Sequence, residues 1–332
     1  MNHRNHCLST LCALALLGLA PAHAQAPSAG TTSLIARAQT DREAGRFAEA
    51  LTLLQAPPPT ASPAASPADA KALQLAVADV QFAWAESLRA NSPALALPHY
   101  QAALDIDRTQ RPAQAAADLN NMGTDLEDIH QSSKAIDAYQ QALPLMRQNG
   151  DKEGEAEALA NLGNAYKNSS QPAQALGFYR QALPLFQRDG DKSEQAYTLM
   201  NMGLAYKDSS QPAKAIGFYQ RALPLFQQAG NMAGKASTLS NIGNAYLDLS
   251  QNGKALGFYQ QALPLMRQVK DRFGEAGTLT NMGNACDDLN QPGKAVGFYR
   301  RALPIYQQIG DKDGQANALY NLGLAQKHVK SR

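Results

Sequence analysis

The sequence predicts an all-α fold, a solenoid of stacked antiparallel helix hairpins. Three observations carry that expectation: a strict 40-residue period, a helical spacing of apolar residues inside each period, and a composition suited to thin layers. The 332 residues are 44% hydrophobic but only 7% aromatic, with a single Trp. Many small contacts, rather than one large globular core, must therefore hold the chain together. The apolar content is too high for a disordered polymer.

Residues 1–24 read as an export signal. Arg4 supplies positive charge, Leu8 to Ala20 is an apolar run of about 13 residues, and Ala22-His23-Ala24 places small residues ahead of Gln25 for signal peptidase. A bilayer-spanning helix needs roughly 20 residues, so the expectation is cleavage after Ala24 rather than anchoring. The product would be periplasmic or secreted, with no integral membrane span. Cys7 and Cys12 leave with the signal, so Cys286 remains and the fold must be stable without a disulfide. Loss of Arg4 leaves 29 basic against 28 acidic side chains, a net charge of +1 that gives nucleic acid nothing to grip.

Residues 25–32 read as a flexible N-terminus. Ser33 to Gln55 (33–55) has the look of a degenerate helical hairpin, with Gly45-Arg46-Phe47 at its turn and Ala50 in a packing position. Residues 56–70 are Pro/Ala/Ser-rich, a linker composition. In 71–118 a degenerate repeat is visible in Ala96, Tyr100, Ala103 and Leu104, although Trp84 sits out of register.

From 119 to 318 the period is regular, giving five 40-residue repeats. Leu119, Leu159, Leu199, Leu239, Leu279 and Leu319 recur in step, followed by Asn121, Asn161, Asn201, Asn241, Asn281 and Asn321. Gly123 to Gly323 follow in the same register, and the second half of each repeat carries the Ala135/Tyr139/Ala142 triplet through to Ala295/Tyr299/Ala302. Each period reads as two helices. The first opens near the Leu, with Leu159, Leu162, Gly163 and Tyr166 on one face. A polar turn follows, and Pro172, Pro212 and Pro292 start the second helix, where no intrahelical N–H partner is lost. The second helix packs through Ala175, Leu176, Tyr179, Ala182 and Leu183 and stops near Gly190 or its counterparts. Asp151, Asp191, Asp271 and Asp311 are placed to cap the next first helix. Residues 319–332 supply only a first helix, the terminal cap a solenoid requires. Pro144, Pro184, Pro224, Pro264 and Pro304 fall inside the second helices and are expected to kink them, at about 3 kcal/mol apiece if fully interior.

This pattern resembles the tetratricopeptide repeat family, whose signature is nearly intact in LANLGNAYKNSSQPAQALGFYRQALPLF, Leu159 to Phe186. The period matches the longer subtype found in kinesin light chains and cell-polarity adaptors. The resemblance implies a right-handed superhelix, a concave face lined by the first helices, and a non-enzymatic scaffold that binds protein or peptide. In that subtype asparagines hold peptide backbones in the groove.

The candidate groove residues are Asn121, Asn161, Asn201, Asn241, Asn281 and Asn321, with Asn164, Asn244 and Asn284 three residues on, where Thr124, Leu204 and Leu324 stand in the other repeats. Each side-chain amide offers a donor and an acceptor to a main-chain peptide unit. At about 1 kcal/mol per net hydrogen bond, six such contacts reach roughly micromolar affinity. An alternative is that each Asn bonds the adjacent helix. Variable neighbours, Met200, Ser240, Thr280 and Tyr320 together with Leu204, are the candidates for selecting ligand side chains. Lys167 and Lys207 lie one turn on, but the immediate neighbours of the Asn are neutral, which argues against a carboxylate clamp.

Phe178, Phe218, Phe258 and Phe298 repeat on the second helices, either as an exposed stripe for a second partner or self-association, or as packing for the next layer. The stripe would suit an assembly component of an envelope or secretion complex docking through its outer surface. No phosphate loop, HExxH, GxSxG or CxxC occurs, and His99, His130 and His328 are far apart in sequence, so neither metal nor cofactor is expected. Cys286 replaces a repeated Tyr and reads as a buried core residue.

Overall fold

The computed structural model describes residues 26–56 and 66–330; the expected signal and most of the expected linker lie outside them. Among the described residues there are fifteen α-helices and no strand. They form two compact units that divide between Asp118 and Leu119.

In the N-terminal unit, α1 (Ala29–Glu43) and α2 (Phe47–Gln55) make a hairpin. It turns at Gly45, whose φ of 74° favours glycine. Helix α3 (Pro67–Arg89) begins inside the Pro/Ala/Ser stretch. Ser66 and Asp69 cap each other's backbone N–H groups, and Pro67 opens the first turn. It packs on α4 (Pro93–Gln110), and the boundary between the units falls within α5 (Pro112–Asp128). Trp84 leaves the repeat register because its ring stacks on two partners, Phe47 at 5.8 Å and His99 at 4.1 Å between centroids.

In the second unit the first helices after α5 are α7 (Lys152–Asn168), α9 (Lys192–Asp208), α11 (Met232–Asp248), α13 (Arg272–Asp288) and α15 (Lys312–Lys330). The second helices are α6 (Ser132–Asn149), α8 (Pro172–Asp189), α10 (Pro212–Gln228), α12 (Asn252–Gln268) and α14 (Pro292–Ile309). First helices start about two turns ahead of the leucines, earlier than the apolar spacing implies. The cap decides it: Asp151 Oδ1 accepts from Gly154 N at 2.9 Å, and Asp191, Asn231, Asp271 and Asp311 do the same for their own helices. Between first and second helix, Ser170 adopts a φ of 58° while Gln171 N reaches back to Tyr166 O at 2.9 Å, satisfying carbonyls at the helix end.

Each layer is locked by a tyrosine on a glycine. A Cβ added to Gly163 would lie 2.4 Å from Tyr179 Cε1, so only glycine lets the ring lie against the helix backbone, and the same holds for Gly243 and Tyr259. Leucines and alanines then close the interface: Leu199 with Ala222 and Phe226, Leu239 with Ala262 and Met266. The second helices stay α-helical through their prolines. In α8 the buried Ala182 and Phe186 anchor the chain on either side of Pro184.

The aromatic stripe is not exposed. Phe178, Phe218 and Phe258 are half-buried and stack on Tyr166, Tyr206 and Tyr246 at centroid distances of 5.2, 5.0 and 5.4 Å. Arg221 covers the Phe218 ring, and Arg301 covers Phe298. These rings pack within their own hairpins, and Phe218 and Phe258 also pack against the neighbouring layer, the second of the two roles the sequence allows.

Candidate functional site

Successive first helices from α7 to α15 touch one another, whereas the second helices make no comparable contact. The first helices therefore crowd the inner curve and the second helices fan outward. The repeated asparagines lie on this inner side. Asn121, Asn161, Asn201, Asn241, Asn281 and Asn321 are each half-buried, one per layer.

Their amides are already partly engaged. Asn201 Nδ2 donates to Asn164 Oδ1 at 2.9 Å, Asn281 Nδ2 to Asn244 Oδ1 at 2.9 Å, and Asn321 Nδ2 to Asn284 Oδ1 at 3.2 Å. Asn161 Nδ2 reaches Asn120 Oδ1 at 3.3 Å. The same acceptors take a second bond from within their own hairpin: Tyr179 OH to Asn164 at 2.7 Å, Tyr259 OH to Asn244 at 2.7 Å, and Tyr299 OH to Asn284 at 2.8 Å. Burial, reinforced by nearby aspartates, pushes these phenols far above their ordinary pKa, so each remains a donor. Because a phenol fixes which amide atom accepts, the next asparagine along is fixed as a donor. The result is a ladder of tyrosine, asparagine and asparagine from layer to layer. Asn321 Nδ2 also donates within its own helix, to Asn317 Oδ1 at 2.9 Å.

The ladder has one gap. Leu204 stands where Asn164, Asn244 and Asn284 accept, and it packs on the Ile216, Tyr219 and Ile242 cluster. The fully buried Tyr219 hydroxyl is left without a partner. Asn241 has no rung to donate to.

The positions expected to select ligand side chains are mostly used up between layers. Met200 packs against two core clusters, and Ser240 Oγ lies 3.1 Å from Thr278 Oγ1. Thr280 is 7% exposed and its hydroxyl bonds Ala276 O and Tyr306 OH, whereas Tyr320 on the last helix is 69% exposed. Lys207 lies 3.9 Å from Asp248 and Lys167 donates to Asn168, so neither lysine stands ready as a clamp. The tyrosine hydroxyls are what sequence reasoning missed. Their signal was the joint recurrence of Tyr and an Asn fifteen residues before it in three of the repeats.

Toward the C-terminal end the inner face holds a cleft of about 220 Å³ lined by Asn284, Asp287, Asp288, Tyr299, Asn321 and Leu324. His328 Nδ1 sits 3.2 Å from Asp287 Oδ1 beside it. Cys286 is buried with Ala295, Tyr299 and Ala325, and burial pushes its thiol pKa up. Among the described residues no group of His, Cys, Asp and Glu has the geometry to hold a metal ion, and no helix is long and apolar enough to cross a membrane.

A fold of tyrosine-on-glycine hairpins with a polar inner ladder defines a helical-repeat binding scaffold. The tetratricopeptide repeat sequence model matches residues 114–188, 154–228 and 234–308, more than half of the chain. The chain belongs to the tetratricopeptide repeat family. No curated protein matches it. Among solved structures it is similar to BtubC (BKLC) from P. vanneervenii, at 19% identity over 68% of this chain and 92% of that one, with a TM-score of 0.56. It is also similar to the apo quorum sensor NprR from B. thuringiensis, at 14% identity over 90% and 82% with a TM-score of 0.63. A Rap protein complexed with Competence and Sporulation Factor aligns at 11% identity over 92% and 100%, with a TM-score of 0.54. These likenesses support a right-handed superhelical solenoid of antiparallel hairpins.

Proposed function

We propose that this protein is an exported, non-enzymatic adaptor that holds an extended segment of a partner protein along the inner row of asparagines. The observation that carries the reading is the ladder: Asn201 and Asn281 are each oriented by a bond to the layer before, and Asn321 by bonds to Asn284 and to Asn317 of its own helix. Pre-orientation lowers the ordering cost of binding. Touching helices lie about 8–10 Å apart, and extended chain advances about 3.3–3.6 Å per residue, so each layer meets roughly three ligand residues. Asp287 and Asp288 favour a basic residue or amino terminus at that end. The Rap protein with its bound factor and the quorum sensor NprR lend analogy for ligand capture on this fold. Export rests on residues 1–24 alone, and the periplasmic or secreted location follows from cleavage after Ala24. N-terminal sequencing of the product, finding Gln25 first, tests it.

The binding test compares capture of extended peptides by the chain and by Asn201→Ala/Asn241→Ala/Asn281→Ala. The variant loses two interlayer bonds, so circular dichroism must first show it folded at the assay temperature. Capture falling at least tenfold supports the groove; unchanged capture by a folded variant removes it.

A further inference from the structure

The last helix, α15, shows a face that earlier first helices keep covered. Leu159, Leu199, Leu239 and Leu279 are 0–4% exposed beneath their own second helices, but Leu319 is 49% exposed and Tyr320 69%. Gly123, Gly163, Gly203, Gly243 and Gly283 each receive a tyrosine ring, whereas nothing lies within 4 Å of a Cβ placed on Gly323. The opposite face of α15 is occupied: Ala318 and Ala325 are buried, and Leu322 packs with Ala295 and Tyr299. Gly323 is thus an empty ring socket in the middle of a helix, where glycine costs about 1 kcal/mol relative to alanine.

We infer that α15 is a docking surface for one amphipathic helix of a partner polypeptide, lying antiparallel to it with a tyrosine in the Gly323 socket. The hairpins within this chain state what such a helix must carry. Each covering helix offers the spacing of Ala295, Tyr299, Ala302 and Leu303, so that the tyrosine meets the glycine and the second alanine meets the leucine. Two departures in α15 sharpen the partner's chemistry. Gln326 replaces the Tyr166, Tyr206 and Tyr246 that stack on phenylalanines, so the incoming helix needs a polar side chain there. Earlier first helices end in Asp208, Asp248 and Asp288 and are followed by second helices with Lys214, Lys254 and Lys294 in the first turn. Lys214 and Lys254 lie over the Tyr206 and Tyr246 rings; α15 offers Gln326 in place of such a ring and ends in Lys327 and Lys330, with His328 held against Asp287, so the partner's first turn is acidic, which also suits a helix N-terminus. The face shares α15 with Asn321 and Tyr320 of the groove, but its test reads Gly323, which the groove does not use, so failure of either leaves the other standing.

The probe is a labelled peptide with the sequence of residues 292–309 carrying Lys294→Glu and Phe298→Gln, titrated against the full chain by fluorescence anisotropy. Saturable binding is expected, weakened about tenfold or more by Tyr299→Ala in the peptide, because one lost anchor of ~1.4 kcal/mol is a factor of ten. Gly323→Leu in the protein fills the socket with nothing nearby to clash, and should weaken binding to the same degree while helix content stays unchanged. Absence of binding, or equal binding by Gly323→Leu, overturns the inference. So does a wild-type dimer that Gly323→Leu converts to a monomer, since the occupant is then a second copy of this chain.

Discussion

Removing a single oxygen from the repeated tyrosines is expected to have opposite effects in different layers. Tyr179, Tyr219, Tyr259 and Tyr299 are all 0–2% exposed, and the Tyr→Phe change leaves the ring that fills the glycine socket. In Tyr179, Tyr259 and Tyr299 the hydroxyl donates to an asparagine at 2.7–2.8 Å. Loss of that bond costs about 1 kcal/mol, and no more, because the asparagine oxygen still accepts from the next layer. In Tyr219 the hydroxyl is buried with no partner. Deleting it removes a desolvation penalty of about 1–3 kcal/mol, so Tyr219→Phe is neutral or stabilising. The contrast between Tyr219→Phe and Tyr259→Phe is about 2 kcal/mol, or roughly 1 M in urea midpoint at a slope of ~2 kcal/mol/M. Urea titrations followed by far-ultraviolet circular dichroism resolve that difference. Leu204→Asn supplies the missing acceptor, so in that background Tyr219→Phe should become destabilising. Equal destabilisation by Tyr219→Phe and Tyr259→Phe in the native background would refute the idea that the ladder, rather than ring packing alone, sets these energies.

Asp118 gives a pH dependence of known sign. It is fully buried beside Asp107, and burial followed by that neighbour raises its pKa from 3.8 to about 8. Arg111 is bonded to Asp107 and Asp79, and Gln114 donates to Asp118. A raised folded-state value means the stabilisation is complete below about 3.8 and is lost as pH rises through about 8, by up to ~1.4 kcal/mol per pH unit. Urea melts followed by the fluorescence of the one Trp, Trp84 in α3, should show this slope, and Asp118→Asn should flatten it. The glycines divide into two classes: Gly243→Ala should destabilise by about 1–3 kcal/mol through its clash with Tyr259. Gly217→Ala, with nothing within 4 Å, should stabilise by up to about 1 kcal/mol in the same melts. Cys286 should resist thiol reagents at neutral pH and react only at denaturant concentrations that unfold its layer, as followed by mass spectrometry.

The parts of this fold legible in the sequence are those decided within one hairpin. Gly163 with Tyr179, the cap at Asp151 and the proline opening α8 all lie within a few tens of residues, and identical spacing in every copy exposes them. The fate of Phe218 was not legible. A ring two turns from a turn can stack back on Tyr206 or face solvent, and only the crossing of the two helices chooses. The layer-to-layer bonds were harder still. Asn201 meets Asn164 across 37 residues because of the rotation between hairpins, which no single repeat encodes. The asparagine row was therefore visible as a row, while its engagement with tyrosine was not.

Leu204 gives this otherwise uniform stack a preferred place to part. Pulled from its ends, an array held together by nearest neighbours yields in steps, each releasing one layer of about 40 residues. Steps of similar force follow wherever rungs are complete, but the seam between α9 and α11 has an apolar contact of Leu204 with the Ile242 cluster in place of a rung, beside a buried Tyr219 hydroxyl that has no partner. The coil of hairpins thus contains a mechanical fuse, set near its middle by the exchange of one amide for an isobutyl group.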